Sequence, residues 1–158
     1  MKQKNLVVYY THSANTRKIA EIINEQVDGT LFEIIPTQPY PAGYDDVVKQ
    51  AKKEINAGHR PALMSDIDIA AYDVIYVGTP NWWSTMAPPV AAFLEAHDFG
   101  GKTVVPFCTH GGGGMAHIQK DVEKLSDGAQ VLAGFDIYGS GGSNAASAVE
   151  KWLKEVQK

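Results

Sequence analysis

A chain of 158 residues, 44% hydrophobic and 20% charged, is expected to fold as one domain (residues 1–158) with a core of its own. Its 18 acids against 14 bases give a net charge of -4, and with no basic stripe to neutralise phosphates, nucleic-acid binding is not expected. The single cysteine, Cys108, excludes an internal disulfide framework and leans toward a cytoplasmic protein, and the basic start MKQKN before LVVYY is too short for a signal peptide or a membrane span.

Leu6–Tyr10 (LVVYY) reads as a buried strand, β-branched and aromatic. It runs into Thr11-His12-Ser13-Ala14-Asn15-Thr16 and at once into a helix over Thr16–Val27, with Ile19, Ala20, Ile22, Ile23 and Val27 at helical spacing. Thr30–Ile35 is a second short strand. The proline-rich PTQPYPAGYDD follows, and a helix over Tyr44–Ala57 ends at Gly58. Asp73–Gly78 (DVIYVG) is the clearest central strand, because its unbroken apolar run suits a parallel strand covered on both faces. Pro88-Pro89 opens a helix through His97. Lys102–Cys108 is a strand blemished by Pro106, Met115–Leu125 a helix, Gln130–Phe135 a short strand and Asn144–Val156 the closing helix.

The alternation βαβαβαβαβα predicts an open α/β class fold with five parallel strands and short helical crossovers. In such sheets the ligand crevice lies beyond the carboxyl ends of the strands, near the switch in strand order. That rule selects four loops: Thr11–Thr16, Thr79–Met86, Thr109–Gly114 and Asp136–Gly142.

In the first loop, hydroxyls on Thr11, Ser13 and Thr16 sit beside the free amides of a helix N-terminus, a place to hold a phosphate dianion without a lysine; alternatively Ser13 or Asn15 merely caps the helix. In the second loop, Thr79-Pro80-Asn81-Trp82-Trp83-Ser84 carries two adjacent indoles, which one core pocket would not hold. A flat heteroaromatic ligand would explain one of them as a stacking wall, and a hydrophobic plug is the other reading. Trp152, on the last helix, reads as core. In the third loop, Thr109-His110-Gly111-Gly112-Gly113-Gly114 lets the backbone come close to a ligand or hinge a lid. His110 has no carboxylate near it in sequence, so a base with an orienting partner is not supported. Tyr138 edges the site or lies on the surface. Cys108 reads as a small buried hydrophobe at a strand end that faces the crevice. The chain lacks GxGxxG, a Walker lysine, GxSxG and any metal-ligand spacing among its five histidines, so no metal is expected.

From Lys4 to about Val156 the sequence resembles the flavodoxin family. Thr11-His12-Ser13-Ala14-Asn15-Thr16 is similar to its T/S-x-T/S-G-x-T phosphate loop, with Ala14 in place of the usual glycine. Gly78-Thr79-Pro80-Asn81-Trp82, with Trp83, resembles its G-x-P-x-W loop, and Cys108, Thr109, His110, Gly111 and Gly112 fall on its third. The resemblance implies a three-layer sandwich with strand order 2-1-3-4-5, and FMN bound by these three loops at the switch between the first and third strands. It implies that Trp82, or secondly Trp83, stacks on the isoalloxazine, and that a peptide flip around Asn81–Thr85 answers its redox state. It implies a low-potential one-electron carrier, a monomer that docks transiently with a reductase and an acceptor protein. A flavin-dependent NAD(P)H:quinone or small-molecule reductase of the same fold is the alternative.

Overall fold

The first strand, Asn5–Tyr9 (β1), buries all four of its apolar residues, which requires cover on both faces. Successive strand side chains point to opposite faces. Leu6 and Val8 accordingly join one core with Ile75, Val77, Phe93 and Leu94, while Val7 and Tyr9 join another with Ile19, Ile23, Phe107 and Val149. The computed structural model describes residues 3–156, so the ends of the expected domain lie outside the described residues.

After β1 come α1 (Asn15–Val27), β2 (Thr30–Glu33), α2 (Tyr44–Ala57), β3 (Val74–Trp82) and β4 (Thr85–Met86). They are followed by α3 (Pro88–Glu95), β5 (Thr103–His110), α4 (Ile118–Leu125), β6 (Gln130–Val131), β7 (Phe135–Tyr138) and, through a 3-10 turn at Gly142–Asn144, α5 (Ala145–Val156). The sheet runs β2-β1-β3-β5-β6, with β7 continuing beside β5. All these pairings are parallel, and β4 is antiparallel, folded back on β3. Counting β6 and β7 as one position gives the expected order 2-1-3-4-5. Helices α1 and α5 cover one face, and α3 and α4 the other. No described helix is long and apolar enough to cross a membrane.

The expected fifth strand is broken in two, and Pro106 explains the break. Leu132 N–H donates to Val104 O (3.0 Å), so in a parallel ladder the backbone of Val104 and Pro106 faces β6 and β7. Proline has no N–H to give there. Side chains from the helices replace the missing ladder. Gln119 Nε2 donates to Leu132 O (3.0 Å) and its Oε1 accepts Gly134 N–H (2.9 Å), while Trp152 Nε1 donates to Ala133 O (3.0 Å). Trp152 is core, as expected, and also gives the Ala133 carbonyl a partner.

Three further departures bear on the crevice. The helix α3 stops at Glu95 rather than His97, and His97 Nε2 meets Asp66 Oδ1 (2.7 Å) instead. The helix α4 starts at Ile118 rather than Met115, which leaves His117 N–H to bond Ser84 O (2.9 Å). The central strand continues past Gly78 to Trp82 and turns back at Thr85, so the expected loop Thr79–Met86 is a β-hairpin. Gly78 is where β3 passes the Phe107 ring: a Cβ there would lie 2.2 Å from Phe107 Cζ.

Candidate functional site

The β1–α1 loop leaves its polar groups available. The residue before α1 is Ala14, at φ 72 in the left-handed region, where L-residues are strained and glycine is not. That conformation accounts for the family's glycine at this position. No side chain caps α1 and its first turn holds no acid, so neither Ser13 nor Asn15 acts as a cap. The first-turn amides therefore have no side-chain acceptor, and the dipole favours an anion there. Thr11 Oγ1 is buried without a partner. Thr16 is different: its hydroxyl is fully buried and shares a 2.7 Å hydrogen bond with Thr109 Oγ1, joining α1 to β5. His12 Nε2 lies 2.8 Å from Pro41 O and ties the loop to the segment before α2.

The hairpin beyond β3 is locked. Trp83 and Ser84 form its two-residue turn, both at positive φ (54 and 70), the pattern of the turns that match strand twist. Asn81 Oδ1 accepts Ser84 N–H (2.9 Å) across the turn and its Nδ2 donates to Gly114 O (2.8 Å). Thr79 Oγ1 donates to Pro80 O and accepts Ala87 N–H, both at 2.9 Å, which fixes the start of α3. A peptide flip around Asn81–Thr85 would break these bonds. The hairpin is thus held by side-chain bonds at its turn and at its base.

Trp82 and Trp83 have different surroundings. Trp82 meets Tyr10, Tyr40 and His12 edge-on, with centroids 5.5, 5.0 and 6.0 Å away. Behind it, Tyr40 donates to Glu54, and Gln50 donates to the same carboxylate. Burial, with Glu54 nearby, pushes the Tyr10 and Tyr40 hydroxyls far above the usual phenol range, so both stay neutral donors. Trp83 is 49% exposed; its Nε1 donates to Val48 O (2.9 Å) and Lys52 lies over its ring, 5.0 Å from the centroid.

In the glycine loop, His110 does have a carboxylate partner. Gly112 N–H donates to His110 Nδ1 (3.0 Å), so the ring proton sits on Nε2, which donates to Asp136 Oδ2 (2.9 Å). Asp136 is distant in sequence, and β7 lying beside β5 brings it there. With both nitrogens engaged, His110 is a brace between two loops and has no free site for general-base work. Cys108 is buried, its Sγ directed to Gly114 O (3.6 Å). Burial, and secondly the Asp136 charge, push its thiol up to about 12.

These pieces surround a cavity of about 610 Å³. Its walls include His12, Ser13 and Asn15 from the first loop and Pro80, Asn81, Trp82 and Trp83 from the hairpin. Thr109, His110 and Gly111 close another side, together with Tyr138. Thr16, Thr79, Ser84, Cys108 and Gly112 lie outside those walls and act on the framework behind them, and Thr11 opens on an adjoining cavity. Sequence reasoning missed α2: Tyr44, Val47, Val48 and Ala51 form the wall facing the hairpin. The signal available was an aromatic, Tyr44, opening an amphipathic helix just after the proline-rich segment; the structure leaves it 78% exposed. Among the described residues no group of three or more His, Cys, Asp or Glu is placed to hold a metal.

The flavodoxin family matches residues 4–156 of the sequence. A protein from Bacteroides uniformis, provisionally assigned as a flavoprotein, is 32% identical with a TM-score of 0.85, over 98% of this chain and 99% of that one. A flavoprotein from Lactobacillus acidophilus, solved in complex with FMN, is 26% identical with a TM-score of 0.75, over 96% of this chain and 99% of that one. The oxidised flavodoxin 2 of Bacillus cereus, at 19% identity and TM-score 0.62 over 98% and 97%, shares the fold. No curated protein matches.

Proposed function

The chain belongs to the flavodoxin family, and from that premise we propose that it holds FMN in the 610 Å³ cleft and carries electrons, one at a time and at low potential, between redox partner proteins. One observation carries this reading. The same cleft offers a helix N-terminus without a side-chain acceptor at one end and aromatic rings at the other, with Tyr44, Trp83 and Tyr138 all exposed at its rim. A phosphate dianion and a planar ring on one small molecule answer both ends. The relative solved with FMN supports the choice of flavin.

When bound, FMN supplies the one-electron chemistry. The protein's part is binding and orientation. The amides of Asn15 and Thr16, with the Ser13 and Thr11 hydroxyls, receive the phosphate; Ala14 shapes that loop by its left-handed turn. We place the stacking contact on Trp83 and Tyr138 before Trp82, because Trp82 already has three aromatic neighbours. The Asn81 clamp and the His110–Asp136 brace hold the hairpin and the glycine loop at fixed separation across the ring. Exposed rings at the rim give a reductase and an acceptor a short approach to the ring edge, which favours a monomer with transient partners over an enzyme with an enclosed substrate site.

The test is the visible spectrum of the purified full chain. The expected result is a yellow protein that releases FMN on denaturation. NAD(P)H alone leaves it oxidised under anaerobic conditions, and NADPH with a flavodoxin reductase bleaches it. A colourless chain that takes up no FMN would refute the cofactor reading. Rapid bleaching by NAD(P)H alone would replace the carrier with a reductase.

A further inference from the structure

Trp83 lines a groove of about 420 Å³ as well as the flavin cleft, and it is the one residue the two share. The groove takes Ile55 and Arg60 from the end of α2 and just beyond it, Met86 from the hairpin, and Asp121 and Lys124 from α4. Its charges are unevenly used. The carboxylates on the surrounding helices have partners: Glu54 accepts Tyr40 and Gln50, Glu95 meets Arg60 Nε (3.1 Å), and Asp121 accepts the Thr85 hydroxyl. Glu123 lies outside the lining, with Gln119 Nε2 at 3.5 Å, and Asp45 and Asp46 stand in the first turn of α2, away from Ile55. Lys124 and Lys52 are exposed and have no ion-pair partner among the described residues. Lys52 is one turn before Ile55, and its ammonium lies over the Trp83 ring.

We propose that this groove docks the acidic face of a redox partner protein, with Lys52 and Lys124 against its carboxylates and an apolar side chain against Trp83 and Ile55. The inference rests on the proposed flavin site and names the chemistry of the partner that site serves. Two features point to a protein rather than a small anion. The free cations stand on different helices, α2 and α4, and a surface carrying several carboxylates answers both. Trp83, 49% exposed, also borders the flavin cleft, so a protein seated here lies against the residue nearest the electron's exit. The chain as a whole carries -4, which repels an acidic protein at long range. Screening over about 10 Å at 0.1 M salt removes that distant repulsion and leaves the local cations to select the face that docks.

The experiment loads the full chain with FMN, photoreduces it without oxygen, and mixes it at about 0.1 M ionic strength with ferric cytochrome c, either native and basic or fully succinylated and acidic. One electron passes from the reduced flavin to the ferric haem, and the absorbance of ferrous haem gives the second-order rate. The wild-type chain should reduce the succinylated protein at least as fast as the native one; a faster reaction with the native protein overturns the proposal. Lys52→Glu and Lys124→Glu should each slow the succinylated reaction by about fivefold and leave the native one unchanged or faster. Lys151→Glu makes the same change in net charge on α5, across the sheet, and should alter either rate by less than about twofold. Equal slowing by all three variants would assign the effect to net charge and overturn the docking site, and so would rates that Lys52→Glu and Lys124→Glu leave unchanged. A chain that retains no FMN at the loading step removes the flavin reading itself, and this proposal with it, so the two failures are told apart before any cytochrome is added.

Discussion

The two sides of the cleft treat their polar groups in opposite ways. On the β1–α1 side, Thr11 Oγ1 is buried without a partner and the first turn of α1 has no cap. On the hairpin and glycine-loop side, Asn81, Thr79, Ser84 and His110 are tied to other parts of the protein. Polar groups left open on one side await a charged ligand, because a buried donor without a partner is costly until something fills the place. Polar groups closed on the other side make a stiff frame, and what that frame offers a ligand is ring surface. In the proposed FMN site, phosphate recognition and ring recognition would thus be divided between an unfinished loop and a finished one.

The contrast can be probed at three points. The largest effect is expected at Cys108, which lies under the closed side. With its thiol pushed up to about 12 from the usual 9.0, the thiolate fraction at pH 8 falls about a thousandfold. Alkylation of the native protein should be slower than that of the denatured chain by at least that factor; comparable rates would show that the glycine loop opens freely. The sign for stability follows. A thiol raised in the folded state helps folding below about 9, and that help is lost as pH climbs through about 12.

Next comes the clamp. Asn81→Ala removes the bonds to Ser84 N–H and Gly114 O, and should cost about 2 kcal/mol in urea unfolding while weakening flavin affinity. Asn81→Asp keeps the acceptor for Ser84 and loses the donor to Gly114, so it should fall between. No change in either measurement would mean that the closed side is held elsewhere.

The smallest expected effect is a gain. Ala14→Gly relieves the left-handed strain at φ 72, and because the unfolded chain also gains freedom, the net stabilisation should be about 0.5–1 kcal/mol. FMN affinity should hold or rise. A loss of stability would show that the methyl group makes a contact that outweighs the strain.

Much of this division was legible before any coordinates. The run from LVVYY into hydroxyls and a helix marks the open loop, and the glycine and tryptophan runs mark the other two. What was not legible is who pairs with whom. His110 carries no sign of Asp136, since only the pairing of β5 with β7 brings them together. Asn81 and Gly114 are far apart in sequence, and their bond turns a presumed loop into a clamped hairpin. Pro106 was visible as a blemish, yet its consequence, a fifth strand split and bridged by Gln119 and Trp152, needed the face on which its missing N–H falls. The wall made by α2 was missed because helix periodicity tells which face is apolar without telling what that face meets.

Sequence by itself determined the alternation of strands and helices, the strand ends that carry the loops, and the residue types in each loop, because hydrophobic period and backbone restriction act locally along the chain. Tertiary structure alone decided which polar groups are spoken for and which remain open. That outcome depends on partners brought from distant strands and helices, and a hydrogen bond exists only where packing puts donor and acceptor within about 3 Å.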